Sequence, residues 1–122
     1  MGKTILIVDD SATIRQVVGM TLKTAGYDVI DACDGRDALS KLDGKKINLI
    51  ISDVNMPNMD GISFVKEAKK LASYKFTPII MLTTESQDNK KQEGQAAGAK
   101  AWVVKPFQPE QMLAAVAKLI MP

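Results

Sequence analysis

Three aspartates, one threonine and one lysine are the residues of this chain whose types and placement are suited to chemistry. Asp9 and Asp10 follow the apolar run ILIV, Asp53 follows INLIIS, Thr83 follows PIIML, and Lys105 follows AWVV. Carboxylates held close together repel, and each is driven toward its protonated form unless positive charge is supplied. Mg2+ is the natural supplier, because it prefers hard oxygen ligands and keeps several waters while taking only a few carboxylates. Formally, the negative charges of Asp9, Asp10 and Asp53 cancel against one such ion plus Lys105. A site neutralised in this way admits an anionic phosphoryl group.

Such a meeting needs elements that bring distant residues together. β-rich runs recur at Thr4 to Val8, Tyr27 to Ala32, Ile47 to Ser52, Pro78 to Leu82 and Ala101 to Val104, each followed by a helical pattern. Ile14, Val17, Val18, Leu22 and Ala25 keep helical spacing, and Gly26 stands where a helix C-terminal glycine belongs. Asp34 fits an N-cap before Ala38, Leu39 and Leu42, with Gly44 closing that helix. A third helix carries Phe64, Val65, Ala68, Leu71 and Ala72. The last begins with Pro109 at its first position and buries Met112, Leu113, Val116 and Ile120. The run from Ser86 to Ala97 is polar, lacks large apolar anchors and contains Gly94, so the helix expected there is the least stable and the one expected to move.

The continuously apolar runs ILIV, INLII and PIIML read as strands covered on both faces, which implies a parallel sheet with helices on each side. In open parallel sheets, ligands bind beyond the carboxyl ends of the strands, where strand order reverses. That is where Asp9, Asp10, Asp53, Thr83 and Lys105 stand.

At 122 residues the chain is expected to form one domain, without an output domain. Its net charge is only +2 and its lysine pairs are scattered, which speaks against direct nucleic-acid binding. Cys33 stands alone and histidine is absent, so neither an internal disulfide nor a Cys/His zinc site is expected. No run is apolar enough to span a bilayer, and MGKTILIVDD reads as a buried strand, not a signal peptide; a cytoplasmic location is expected.

The segments VDDSATIR, DVNMPNMDG, MLTTE and VVKPF, in that order over the whole chain, resemble a two-component receiver domain, specifically a chemotaxis response regulator of the CheY type. The resemblance implies an α/β, flavodoxin-like, doubly wound five-stranded parallel sheet of order 2-1-3-4-5 with five helices. It also implies a stand-alone phosphorelay regulator rather than an enzyme, with at most slow self-catalysed phosphorylation and dephosphorylation. Asp53 would take the phosphoryl group from a CheA-like sensor histidine kinase. Mg2+, or Mn2+ in its place, would be held by the carboxylates of Asp10 and Asp53, the backbone carbonyl of Asn55 and, through water, Asp9. Lys105 and Thr83 would each meet a phosphoryl oxygen, and the bond from Lys105 to Pro106 would be cis. Asn55 and Glu85 would tune the lifetime of the modification. Trp102 stands where the family usually has a mobile Tyr or Phe that swings inward as Thr83 engages the phosphoryl group. The regulator would be a monomer that signals by protein contact through the Ser86 to Ala97 helix, Trp102 and the last helix. Its targets would be the flagellar motor switch or another regulator, with a phosphatase as a further partner. The absence of histidine makes this chain the acceptor and not the histidine donor.

Plainer readings stand beside these. An aspartate pair after a strand often marks only a turn, Asp60 and Gly61 read as a helix cap and turn, and an aromatic at 102 fits edge-strand packing. The methionines read as core filler, and Cys33 as a small buried residue without chemistry. Alternative functions are a phosphorelay intermediate outside chemotaxis and a haloacid-dehalogenase-like Mg-dependent phosphatase. The latter normally carries a general-acid aspartate two residues after its nucleophile, where this chain has Asn55. A flavodoxin-like electron carrier shares the sheet, but Asp9 and Asp10 would repel its cofactor phosphate.

Overall fold

The computed structural model describes residues 2–83, 97–105 and 107–120. Five strands, β1 (Thr4–Val8), β2 (Asp28–Ala32), β3 (Leu49–Asp53), β4 (Ile79–Thr83) and β5 (Ala101–Val104), form one parallel sheet in the order β2-β1-β3-β4-β5. The described helices are α1 (Ala12–Thr24), α2 (Gly35–Lys41), α3 (Gly61–Lys70) and α4 (Pro109–Leu119), with a short 3-10 turn at Ala72–Tyr74. This is the doubly wound, flavodoxin-like arrangement that the sequence implied. Of the five expected helices, the one from Ser86 to Ala97 lies outside the described residues apart from Ala97, and so does its expected mobility.

Alternation along the strands divides the interior in two. Leu6, Val8, Ile50, Ile79 and Met81 meet Ala38 of α2 and Phe64, Val65 and Ala68 of α3 on one face. Ile5, Ile7, Leu49, Ile51, Ile80 and Leu82 meet Val18 and Leu22 of α1 and Met112 and Val116 of α4 on the other. The central strands β3 and β4 are buried throughout. Each fully buried Ile or Leu contributes about 1.5–3 kcal/mol, so the middle of the sheet is the most strongly held part of the molecule.

Helix ends follow the sequence. Ser11, Asp34 and Asp60 cap α1, α2 and α3 through side-chain oxygens that accept amide N–H groups three residues on, and Pro109 opens α4. Gly26 adopts φ 100° after α1, with its amide donating to Lys23 O and that of Tyr27 to Leu22 O, a Schellman closure that favours glycine.

Some expected core positions are on the surface. Val17 and Ala25 face outward because the stripe of α1 narrows to Val18 and Leu22. Leu71 and Ala72 are exposed because α3 ends at Lys70. Cys33 is exposed rather than buried: it leaves the edge strand β2 just after inward-facing Ala32.

Candidate functional site

The parallel arrangement brings every strand's carboxyl end to one rim, and β1 and β3 are neighbours there. Asp9 follows β1 directly, with no exposed surface, and Asp53 is the buried last residue of β3. Asp10, one step further on, is exposed. Each of the three offers a carboxylate oxygen, and those oxygens lie within 4.8 Å of one another. That spread, with two buried groups and one open to solvent, fits the oxygen set of a divalent cation that keeps part of its water.

Lys105 follows β5 and reaches across β4. Its Nζ lies 3.1 Å from Asp9 Oδ2 and 3.2 Å from Asp53 Oδ2, so one ammonium bridges the two buried acids. The remaining oxygens are fixed by main chain: Ser11 N–H donates to Asp9 Oδ1 at 2.9 Å and Val54 N–H to Asp53 Oδ1 at 2.8 Å. Thr83, the buried last residue of β4, accepts the Lys105 N–H on its carbonyl at 2.6 Å, which sets where the lysine departs from the sheet. Asn55 is exposed just beyond Asp53. Glu85 and Pro106 lie outside the described residues, and with them the expected lifetime role and the expected cis bond.

Burial raises the Asp53 pKa above the ordinary carboxylate value, and the neighbouring Asp9 adds to the rise, partly offset by Lys105. For Lys105, burial lowers the pKa, but attraction to Asp53 and Asp9 outweighs it and the net direction is upward. A carboxylate whose folded pKa exceeds its unfolded value binds a proton in the folded chain that the unfolded chain has released. Its contribution to stability therefore falls as pH rises from the ordinary carboxylate range through the raised value. Accordingly, Asp53→Asn is expected to raise the melting temperature in chelator near neutral pH, with a smaller gain in acid; thermal melts at several pH values check both the sign and the trend.

Two contributors escaped sequence reading. Arg15 donates from Nη1 to Asp9 O at 2.7 Å and from Nε to Asp31 Oδ2 at 3.1 Å, tying the end of β1 to β2. Its signal was a cation near a helix N-terminus, where the helix dipole disfavours positive charge unless acids hold it. Gly61 was read as a turn glycine, but a Cβ there would stand 1.9 Å from Asp53 O, so only glycine lets α3 start this close to β3. Asp60, by contrast, is the helix cap it was expected to be.

Residues 5–117 match the response regulator receiver domain family. The chain belongs to that family. Among receivers, it is similar to the chemotaxis protein CheY4 of Vibrio cholerae, with 53% identity and a TM-score of 0.91 over 96% of this chain and 98% of that one. Protein PilG of Pseudomonas aeruginosa is 37% identical over 94% of this chain and 85% of its own length. The receiver domain of sensor histidine kinase PA1611 from Pseudomonas aeruginosa PAO1, solved with a magnesium ion coordinated in its active site cleft, shares 25% identity and a TM-score of 0.90, covering 98% of both chains. The regulatory protein PhoP of Bacillus subtilis is 38% identical over 98% of this receiver, which spans only 49% of PhoP. The chain is thus a CheY-like response regulator receiver, and the relatives support a place in phosphorelay signalling.

Trp102, on the edge strand β5, is half-buried against the face that holds α2 and α3. Its Nε1 is buried without a hydrogen-bond partner among the described residues. No described helix is long and apolar enough to cross a membrane.

Proposed function

We propose that this receiver is the phosphoryl acceptor of a chemotaxis phosphorelay, taking the group on Asp53 from the phosphohistidine of a CheA-like sensor kinase. The observation that carries this reading is the single Lys105 ammonium held between Asp9 and Asp53 at the rim where three carboxylates gather. One Asp53 oxygen attacks phosphorus, the phosphorus–nitrogen bond breaks, and the departing imidazole keeps the bonding pair and takes up a proton. Phosphoryl transfer asks mainly for positioning and charge neutralisation. The Val54 amide fixes the rotation of the Asp53 carboxylate, and Lys105 is already in reach of the arriving oxygens. Thr83, at the end of β4, would give its hydroxyl to another phosphoryl oxygen. Mg2+, with Mn2+ as a substitute, supplies the remaining positive charge when bound. Asp10, Asp53 and the Asn55 carbonyl would hold it directly and Asp9 through water, in keeping with the magnesium named in the PA1611 receiver.

The likeness to CheY4 favours chemotaxis, with a cytoplasmic monomer passing its signal by protein contact to the flagellar motor switch or another regulator, and a phosphatase ending it. The receiver acts as a phosphoacceptor with slow self-catalysis, not as a turnover enzyme. Asn55 and Glu85 would set the lifetime of the acyl phosphate.

Incubation with a small phosphodonor is expected to add one phosphoryl group per chain by intact mass with Mg2+ and none in chelator. Tryptophan fluorescence is expected to change in step, because burial without a hydrogen-bond partner among the described residues makes the Trp102 indole sensitive to any rearrangement of β5. Absence of uptake in Mg2+ sinks the acceptor reading; uptake with an unchanged spectrum removes Trp102 from the switch.

A further inference from the structure

Apart from Asp31, the partner of Arg15, no residue assigned above to the site lies on β2 or α2, yet the turn joining them reaches the segment between β3 and α3 twice. Asp34 is buried there, and its two oxygens have different partners. Oδ1 accepts the Asp37 amide at 2.8 Å, which is the helix cap; Oδ2 accepts Asn58 Nδ2 at 2.7 Å. Capping needs only the first of these. Asn58 has φ 68°, the left-handed region that Asn tolerates better than most residues. Next to it, the Gly35 amide donates to Met59 O at 3.3 Å. A Cβ on Gly35 would stand 2.7 Å from the Met59 side chain and 2.9 Å from its carbonyl oxygen, so the two segments meet backbone against backbone. At its other end the same segment is closed by Gly61 N–H donating to Val54 O at 2.7 Å. Asn55 lies between these two anchors.

We propose that Asp34 and Asn58 are positioning residues for the loop that carries Asp53 and Asn55, holding its tip so that the Asn55 carbonyl is set before the cation arrives. The inference deepens the metal-dependent acceptor reading and rests on it. A loop anchored at both ends loses little freedom on binding an ion; one anchored only at Gly61 must be ordered by the ion itself. Partners that orient metal ligands from outside the ligand set commonly change affinity by about 10–100-fold.

Calorimetric titration with Mg2+ tests this on the wild type, on Asn58→Gly and on the exchanged pair Asp34→Asn with Asn58→Asp. Glycine keeps the left-handed backbone and deletes the amide, and is expected to weaken Mg2+ binding by about 10-fold. The exchanged pair re-forms the same bond with donor and acceptor reversed, keeps net charge and retains a good N-cap residue at position 34. It is expected to bind near the wild-type level. Titrations run at a temperature where thermal melts show every variant fully folded exclude loss of stability as the cause of any weakening. Wild-type affinity in Asn58→Gly, or an exchanged pair no better than Asn58→Gly, overturns the proposal while leaving the acceptor reading intact. A wild type that takes up no Mg2+ overturns both.

Discussion

Asp53→Asn is expected to take up no phosphoryl group from a small phosphodonor in Mg2+, under conditions where the wild type takes up one. The carboxamide has nearly the same shape and can still accept the Val54 N–H, so the fold around it is preserved. What disappears is the anionic oxygen that would attack phosphorus, together with one of the charges that would attract a cation. Asp9 and Asp10 do not replace it. Asp9 has no exposed surface and its oxygens are engaged by Ser11 N–H and Lys105, while Asp10 stands outside the lysine bridge. Intact mass on both proteins decides the matter, and equal modification of the two would move the nucleophile elsewhere.

Gly61→Ala is expected to lower stability by at least about 3 kcal/mol, because the added methyl would meet backbone rather than a side chain that can rotate away. The clash is with Asp53 O at 1.9 Å, and the Asp53 carbonyl carbon is only 2.9 Å away. Relief requires moving α3 off the end of β3, which breaks the Gly61 N–H to Val54 O bond of 2.7 Å and shifts Asp53 itself. For a domain of this size the loss corresponds to a fall of roughly 10 °C in melting temperature. Phosphoryl uptake should fall alongside, even at temperatures where the variant is folded. A melt within a couple of degrees of wild type would show that α3 can leave the end of β3 at little cost, and would sink this account of Gly61.

The sheet was legible from its runs because β1, β3 and β4 are nearly uniform in burial, so continuous apolarity marked them without ambiguity. The rim residues were legible because a parallel sheet sends every strand's carboxyl end the same way, so that residues at the ends of β1, β3, β4 and β5 meet there. Contacts made sideways along the rim were not. Arg15 of α1 with Asp31 of β2, and Asp34 with Asn58, join residues 16 and 24 positions apart with no periodic signal. Gly61 looked like ordinary turn chemistry because what makes it necessary is a backbone oxygen, which no side-chain pattern reveals. Cys33 was misplaced for a related reason: small thiols are usually buried, but an edge strand offers cover on one side only.

The lysine bridge joins parts of unequal firmness. Asp9 and Asp53 stand on strands flanked on both sides, whereas Lys105 hangs from β5, which has a single neighbour in the sheet and only one buried residue, Val103. The acidic half therefore works as an anvil and the cationic half as a hammer. A change of charge at the rim is therefore expected to displace β5 and Trp102 before it disturbs the spacing of the carboxylates.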